Sequence, residues 1–563
     1  MKKSIYRLLF LLVAAGLFTS CDNVLDMNST NTLSDVAVWA SESSADAYVT
    51  ASYKTFSDVS QVANSRNCYY DSFSDLMKST SWDQYNHGYN KALLQSSSFS
   101  TGNAGPFNCW EDCYTRIRRT NVLLADIDRY GGKFGEDWCN IRRAEARLCR
   151  AWSYYRLIRV YGGVVLRTDT TGVNGVDDGQ YSEDTDRARM TEAESWDYVL
   201  DELSWAARYL PESWPTSQTG RATKLTAYAL ISRMALYAGK WQMVIGAANK
   251  CQNLGAKLVP DYAKLFQVDG GQDNSPEILF AIYYEKGSVV HNFDAFNRPY
   301  GDGVVYNTSV YGEHVPTAEL ADLYEFKDGT DFSWNTWSNS HSDPYTDREP
   351  RFKATILYNG ATWESREIQS YVGGIDNFVP FTQSGATGGH TCTGYYLRKY
   401  LQEGNKEFVN EHSWQYDIVI RYAEVLLNKA EAYANLDYQQ YRTKALDALN
   451  EVRSRVGLSA RIVTDAPDKD AFMKLLRKER CVELAGEGLR FWDLKRWKLA
   501  SNVINGQNAH GVRITRDDNG TYTYTRVECD GGTPRIFPER YYYLSIPTSE
   551  TSNNKLCKDN PYW

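Results

Sequence analysis

Two blocks of the chain carry apolar residues at the spacing of an amphipathic α-helix. In the first block the residues recur every three or four positions and stop before Gly162; they include Ala144, Leu148, Ala151 and Tyr155. This spacing places one stripe on one helix face, and the glycine is a helix-ending signal. A stripe of this kind must pack against another element, so a chain with several of them is expected to build a layered helical body.

Helices of this type are predicted in two regions of the chain, one before residue 256 and one after residue 414. Their predicted ranges are 110–130, 141–161, 191–210, 223–238, 241–254, 422–433, 445–456 and 469–485. Short connections join them, which favours stacked antiparallel pairs of the tetratricopeptide type. Because the full tetratricopeptide sequence pattern is absent, we predict a mostly α fold built on an irregular tetratricopeptide-like helical-repeat scaffold. The scaffold is predicted at about 110–256 and 414–500.

The segment between the two blocks has a different character. Residues 257–413 are rich in Gly, Asn, Asp, Tyr and Trp, with only short β-like runs such as 278–282. A structureless loop of this length is uncommon in a compact domain. We therefore predict an irregular, loop-rich subdomain with short strands. A β-hairpin is predicted at 512–524, where Asp518-Asn519-Gly520 supplies the turn.

The N-terminus has the pattern of an export signal. Lys2, Lys3 and Arg7 precede an apolar run from 8 to 17, which is too short to span a bilayer as a helix. The run ends in LFTSC, which resembles a bacterial lipobox with Cys21 as the lipidated residue. We predict a signal peptide at 1–20, a lipidated tether at 21–33 and one body at 34–563. The alternative is an ordinary cleaved signal followed by a chance cysteine.

The charge and hydropathy of the chain argue against three classes of protein. Its 62 basic and 70 acidic residues give a net charge of −8, and no basic run follows the first residues. A nucleic-acid-binding or polybasic membrane-surface role therefore has no electrostatic support. The mean hydropathy of −0.52 excludes a multi-span membrane protein.

Known catalytic motifs are missing from the sequence. It has no GxSxG, Walker, GxGxxG or HExxH pattern, and the seven histidines are isolated from one another. We predict a protein that is not an enzyme, with no catalytic residue, no cofactor and no metal. A surface glycosidase stays an alternative, because a pair of catalytic carboxylates is defined by its spacing in space and not along the chain.

Several longer motifs occur in a specific order. They include YYRLIRVYGGV at 154–164, PTAEL at 316–320, RYAEVLLNKAEA at 421–432, ERCVEL at 479–484 and GLRFWDLKRW at 488–497. In this order the chain resembles the SusD/RagB family, the surface nutrient-binding lipoproteins of Bacteroidota. The resemblance covers nearly the whole chain.

The resemblance implies both a ligand and a partner. Members of the family commonly bind oligosaccharides, and some bind peptides. The partner is a SusC-like, TonB-dependent outer-membrane transporter, on which the lipid-anchored protein sits as a lid. We therefore predict a surface-exposed lipoprotein of the outer membrane that captures oligosaccharides and delivers them to such a transporter. The alternatives are a peptide-binding member of the family, a surface glycosidase, or a scaffold subunit with no ligand of its own.

Two polar, aromatic-rich loops are the candidate ligand-binding segments. Sugar rings pack their C–H faces on aromatic planes and hydrogen-bond to polar side chains at the rim. The residues predicted to bind ligand are Trp82 and Tyr85 in the first loop, and Trp334 and Trp337 in the second. The resemblance supports these two regions but not the individual positions. The alternative is that each tryptophan anchors its loop in the core.

The charges of the 479–497 motifs have a structural interpretation. Glutamate, aspartate and arginine alternate there within two to three helical turns. Such side chains can pair with one another and with loop backbone. We predict an ion-pair network that holds the fold together rather than a functional site. Its predicted members are Glu479, Arg480, Glu483, Arg490, Asp493 and Arg496.

Overall fold

The chain forms a mostly α-helical fold with a strand-containing subdomain, which confirms the predicted fold class. The computed structural model describes residues 35–63, 69–80, 94–95, 99–100, 104–168, 186–268, 272–334, 337, 343–381 and 388–563. None of the helices in these ranges is long and apolar enough to cross a membrane.

The helices of the scaffold closely follow the predicted ranges. In chain order the helices are α1 Asp35–Val38, α2 Glu42–Thr50, α3 Lys54–Ser57, α4 Trp110–Tyr130, α5 Glu136–Tyr161, α6 Glu192–Tyr209, α7 Lys224–Tyr237, α8 Trp241–Asn253, α9 Phe293–Asn297, α10 Tyr300–Tyr306, α11 Ala318–Leu323, α12 Pro350–Thr355, α13 Tyr422–Arg455, α14 Lys469–Glu483, α15 Arg490–Arg496, α16 Ala500–Val503 and α17 Thr548–Asn553.

The strands are short and pair two by two. They are β1 Met77–Ser79, β2 Ile278–Ile282, β3 His314–Pro316, β4 Ile356–Leu357, β5 Thr362–Trp363, β6 Arg366–Glu367, β7 Tyr396–Leu397, β8 Asp417–Arg421, β9 His510–Arg516 and β10 Tyr522–Glu528. The antiparallel pairs are β1–β3, β2–β8, β4–β7, β5–β6 and β9–β10. The β9–β10 pair is the predicted hairpin, two residues longer at its start and four at its end.

Local sequence explains where the scaffold helices begin. At α6, the Thr191 hydroxyl accepts the Glu194 N–H, and the Glu194 carboxylate accepts the Thr191 N–H. This reciprocal pair satisfies backbone donors that lack a partner in the first turn. Thr223 and Thr226 form the same arrangement at α7, and the Asp468 carboxylate accepts the Ala471 N–H at α14.

The helical stack continues across the long central segment. Consecutive helices from α4 to α8 pack on one another, and α8 then packs on α13, which packs on α14. The backbone of α13 is non-helical at Asp437, so the two predicted stripes lie on two helical pieces. The strand β2, near the start of the central segment, pairs with β8, which leads into α13. The central segment thus leaves and re-enters the scaffold at one strand pair.

A buried group of charges joins the scaffold to the central subdomain. We call it the ionic junction. It lies around the C-terminal end of α14, and its carboxylates come from α14, the loop after it and the residue before β2. Its members are Glu277, Arg351, Lys399, Arg421, Arg453, Arg455, Glu479, Glu483 and Glu487.

Two arginines form the centre of the ionic junction. The Arg351 guanidinium donates to Glu479 at 2.6 Å and to Glu483 at 2.9 Å. The Arg421 guanidinium donates to Glu483 at 2.7 Å and to Glu277 at 2.8 Å. Arg351 lies in the subdomain and Arg421 at the end of β8, so both segments are bound to the same helix end. These charge-assisted hydrogen bonds are strong because they are buried. For the same reason, removal of either partner would leave an uncompensated charge in the interior.

The buried charges of the ionic junction stabilise one another, because each lies beside groups of opposite charge. Burial opposes ionisation of Glu483, yet Arg455, Arg421 and Arg351 hold its pKa well below the ordinary range. Burial lowers the pKa of Lys399 to about 8, against the opposing effect of Glu487. Glu483 therefore stays ionised at neutral pH.

The predicted network of the 479–497 motifs is confirmed, but several of its partners are distant in sequence. Arg480 and Arg496 both pair with Asp493, each at 2.8 Å, within the motifs. Arg490 instead pairs with Asp75 at 2.8 Å. The motif thus binds the segment at 69–80 as well as itself.

Candidate functional site

The predicted ligand-binding residues fall into two groups. Trp82 and Tyr85 lie outside the described residues, as does the lipidation candidate Cys21. Trp334 and Trp337 are described, and both are half-buried. The structure therefore gives the surroundings of Trp334 and Trp337.

Trp334 and Trp337 belong to a row of aromatic rings, which we call the aromatic ridge. The Trp334 ring meets the Phe332 ring edge-on at a centroid distance of 5.1 Å and the Trp337 ring at 5.5 Å. The Trp337 ring in turn meets Tyr524 of β10 at 5.7 Å. Edge-to-face packing of this kind fixes each ring by its neighbours. The ridge thus holds partly exposed apolar surface in a fixed shape.

A charged rim borders the aromatic ridge. The Trp334 indole N–H donates to the Asp322 carboxylate on α11 at 3.0 Å. The Arg526 guanidinium on β10 donates to Asp322 at 3.2 Å and to Glu319 at 2.7 Å. Burial raises the pKa of Asp322 to about 6, although Arg526 and Arg348 oppose this shift. The rim therefore offers carboxylate acceptors and guanidinium donors beside the rings.

A second aromatic surface lies next to the start of the first predicted loop. The Tyr300 and His390 rings have centroids 3.7 Å apart and planes inclined by 33°. Gly389, with φ +90°, lets its segment pass close to the Val310 carbonyl and the Tyr300 ring, because a Cβ atom there would lie 2.8 Å from the first and 3.4 Å from the second. Tyr300 and His390 are both half-buried. Burial lowers the pKa of His390, so its imidazole is neutral at neutral pH.

The segment leading to Trp82 is bound firmly at its described end. The Thr80 N–H donates to the Glu313 carbonyl at 2.8 Å, and the Thr80 hydroxyl donates to the Gly312 carbonyl at 3.2 Å. Thr80 therefore lies beside the backbone that follows Tyr311, and it precedes Trp82 by two residues in the sequence.

Asp71 fixes the other end of the same segment. Its buried carboxylate accepts backbone N–H groups of Gly486, Gly488 and Arg490 at 2.7–3.2 Å. Burial raises the pKa of Asp71 to about 6, against the effect of these donors. The segment at 69–80 is thereby attached to the loop between α14 and α15.

Sequence reasoning missed several residues of these surfaces. Tyr524 and Arg526 were not predicted, because the alternation of residue types along a hairpin does not indicate which distant residues its outer face contacts. The Tyr300 and His390 rings are in contact although the residues are 90 positions apart in the sequence. No local pattern could have shown that contact, because it depends on the path of the whole subdomain.

The family comparisons cover almost the whole chain. The model described as "SusD family" matches residues 276–563. A second model, described as "Starch-binding associating with outer membrane", matches residues 20–236. Residues 237–275 lie between the two matches; they contain α8 and the start of the central subdomain.

Individual relatives agree with the family models. A curated SusD-like protein P2 of Formosa agariphila is 25% identical over 471 residues, which are 80% of this chain and 79% of that protein. A solved SusD-like carbohydrate-binding protein of Bacteroides fragilis is 25% identical with a TM-score of 0.76, covering 92% of this chain and 99% of its own.

A further solved structure shows the same fold at lower identity. It is a laminarin-binding SusD-like protein, 20% identical with a TM-score of 0.64, and the match covers 93% of this chain and 99% of that one. The fold, the order of motifs and the family models all agree. This chain is therefore a member of the SusD family.

Proposed function

We propose that this protein is a surface glycan-binding lipoprotein that captures oligosaccharides and passes them to a SusC-like, TonB-dependent transporter. The observation that carries the proposal is the aromatic ridge with its charged rim. Trp334 and Trp337 offer apolar ring surface, and Asp322 and Arg526 offer hydrogen-bonding groups at its edge. Sugars need both kinds of contact together.

The relatives support a carbohydrate as the ligand class. One solved relative is described as carbohydrate-binding and another as laminarin-binding, and one family model is described as starch-binding. All three descriptions concern binding and name no reaction. We therefore propose a binding protein rather than an enzyme, with Trp82, Tyr85, Trp334 and Trp337 as ligand-contacting residues.

The proposal is tested by native affinity electrophoresis of the soluble body from residue 34 onward. Gels containing soluble starch, laminarin or other polysaccharides are run beside gels without polysaccharide, and incubated mixtures are assayed for new reducing ends. We expect retardation by at least one polysaccharide without product formation. New reducing ends would favour the glycosidase alternative. Retention by a peptide column but by no polysaccharide would favour the peptide-binding alternative.

Membrane attachment gives a separate prediction. We expect Cys21→Ala to release the protein into the soluble fraction with an unchanged fold, because the lipobox motif makes Cys21 the residue that carries the lipid chains. Cell fractionation and far-UV circular dichroism measure the two effects, in a strain that lacks the transporter. Recovery of the variant in the outer-membrane fraction would show that lipidation is not the anchor.

A further inference from the structure

A third aromatic surface lies at the end of the β2–β8 pair, outside the aromatic ridge and the Tyr300–His390 surface. In the register of this pair Ile282 is opposite Asp417, so Tyr283 and Tyr416 form the next position outward. Their ring centroids are 4.4 Å apart and their planes are inclined by 50°. Tyr283 is 39% exposed, a large fraction for an aromatic side chain.

The two rings of this surface are held in place from behind. The buried Gln272 amide accepts the Tyr416 N–H at 2.8 Å and donates to the Tyr416 carbonyl at 3.3 Å. The Tyr416 hydroxyl donates to Asp273 at 2.5 Å. Behind Tyr283 lies Gly220, with φ +94°, where a Cβ atom would come within 3.1 Å of the ring. The surface is therefore preorganised, which reduces the entropy lost when a ligand binds.

Trp414 extends the same surface. Burial alternates from Ser413 to Asp417, with Trp414 and Tyr416 as the less buried positions. In an extended chain these two side chains leave the same face about 6.6 Å apart. The Lys286 ammonium lies 4.7 Å from the Trp414 ring centroid and pairs with Glu407 at 2.9 Å. Aromatic rings in a row are thus bordered by a carboxylate and an ammonium group.

We propose that Tyr283, Trp414 and Tyr416 form a second glycan-contact surface, which binds further sugar rings of a polysaccharide. The apolar faces of the sugars would lie on the rings, and Asp273 and Lys286 would bind hydroxyl groups. This inference rests on the proposed glycan-binding function. It adds that the protein holds long chains more tightly than short ones, because two contacts on one polymer raise the overall affinity without any new chemistry.

The test uses affinity gels of soluble starch and of laminarin with the soluble body from residue 34 onward. We expect Tyr283→Ala combined with Tyr416→Ala to weaken binding about tenfold or more, measured as retardation by the polysaccharide that retards wild type. The matched control is Tyr283→Phe combined with Tyr416→Phe, which keeps both rings and should bind within about twofold of wild type. Tyr562→Ala, a change at a 79% exposed tyrosine, controls for the loss of surface tyrosine.

The outcomes separate this inference from the proposed function. If the double alanine variant is retarded as strongly as wild type while Trp337→Ala is not, the second surface is disproved and the proposed function stands. If neither polysaccharide retards wild type, the glycan role of this surface is disproved together with the proposed function. Should the double variant fail to fold, Tyr283→Ala alone gives the same comparison, since its ring is the more exposed.

Discussion

Replacing Arg421 with methionine is expected to lower the free energy of unfolding by about 3–5 kcal/mol. The Arg421 guanidinium is fully buried and binds the carboxylates of Glu277, Glu483 and Glu487. Its loss leaves these charges partly uncompensated in the interior, which costs far more than the loss of an exposed ion pair. Unfolding in guanidinium chloride, monitored by tryptophan fluorescence, measures the change in the free energy of unfolding.

A matched control separates the effect of losing a buried charge from the effect of losing an exposed one. Lys240 pairs with Asp197 at 2.9 Å, but the two side chains are 46% and 53% exposed. We expect Lys240→Met to change the free energy of unfolding by less than about 1 kcal/mol. Equal effects of the two methionine variants would contradict the proposed role of the ionic junction in joining scaffold and subdomain.

The same variant should also show a characteristic pH dependence. In the folded protein burial opposes ionisation of Glu483 and Glu487, but the neighbouring cations hold both pKa values below the ordinary 4.5. Their stabilising contribution is therefore present above about pH 4.5 and is lost as the pH falls below it. We expect the difference between wild type and Arg421→Met to be largest near neutral pH and to shrink below about pH 4.5. A difference that grows on acidification would contradict this account.

Replacing Trp337 with alanine is expected to weaken glycan binding about ten- to hundredfold. The Trp337 ring is part of the aromatic ridge and contacts only the rings at its sides, Trp334 and Tyr524, among the ring pairs of the described residues. Because it is half-buried, its removal leaves a smaller cavity than removal of a core ring. Isothermal titration with an oligosaccharide of the polysaccharide that retards wild type measures the affinity, and thermal melting measures the stability.

Trp492 provides the opposite case for comparison. It is 1% exposed in the helical core, so Trp492→Ala should cost about 3–5 kcal/mol of stability. The cost of Trp334→Ala in stability should fall between the costs of Trp337→Ala and Trp492→Ala, because the Trp334 indole also donates to Asp322. If Trp337→Ala lowers the melting temperature as much as Trp492→Ala but leaves binding unchanged, Trp337 is a core anchor and the ligand binds elsewhere.

Much of the scaffold could be predicted from the sequence because its determinants are local. The stripe that ends before Gly162 became α5, and the apolar stripe of the last predicted helix became α14. The hairpin followed from a turn sequence between alternating residues, and β9–β10 has that turn. In each case the signal lies within a few turns or one pair of strands.

The candidate site was predictable only in part. Sequence composition identified Trp334 and Trp337 as ring-bearing loop residues but left open whether they anchor the loop or face a ligand. The structure shows both features in Trp334, which contacts the subdomain core and lines the aromatic ridge. Burial of one side chain depends on which distant segments reach it, so no local pattern resolves that choice.

The sequence by itself determined the helical class, the family and the residue types available for binding, because periodicity, motif order and residue type are properties of short segments. Only the tertiary structure decided which charges and rings meet. Arg351 and Arg421 come from segments 70 positions apart, yet both bind Glu483. Tyr283 and Tyr416 are 133 positions apart, yet their rings pack together. Contacts of this range form because the central segment returns to the scaffold at β2 and β8, and that return is fixed by the packing of the whole chain.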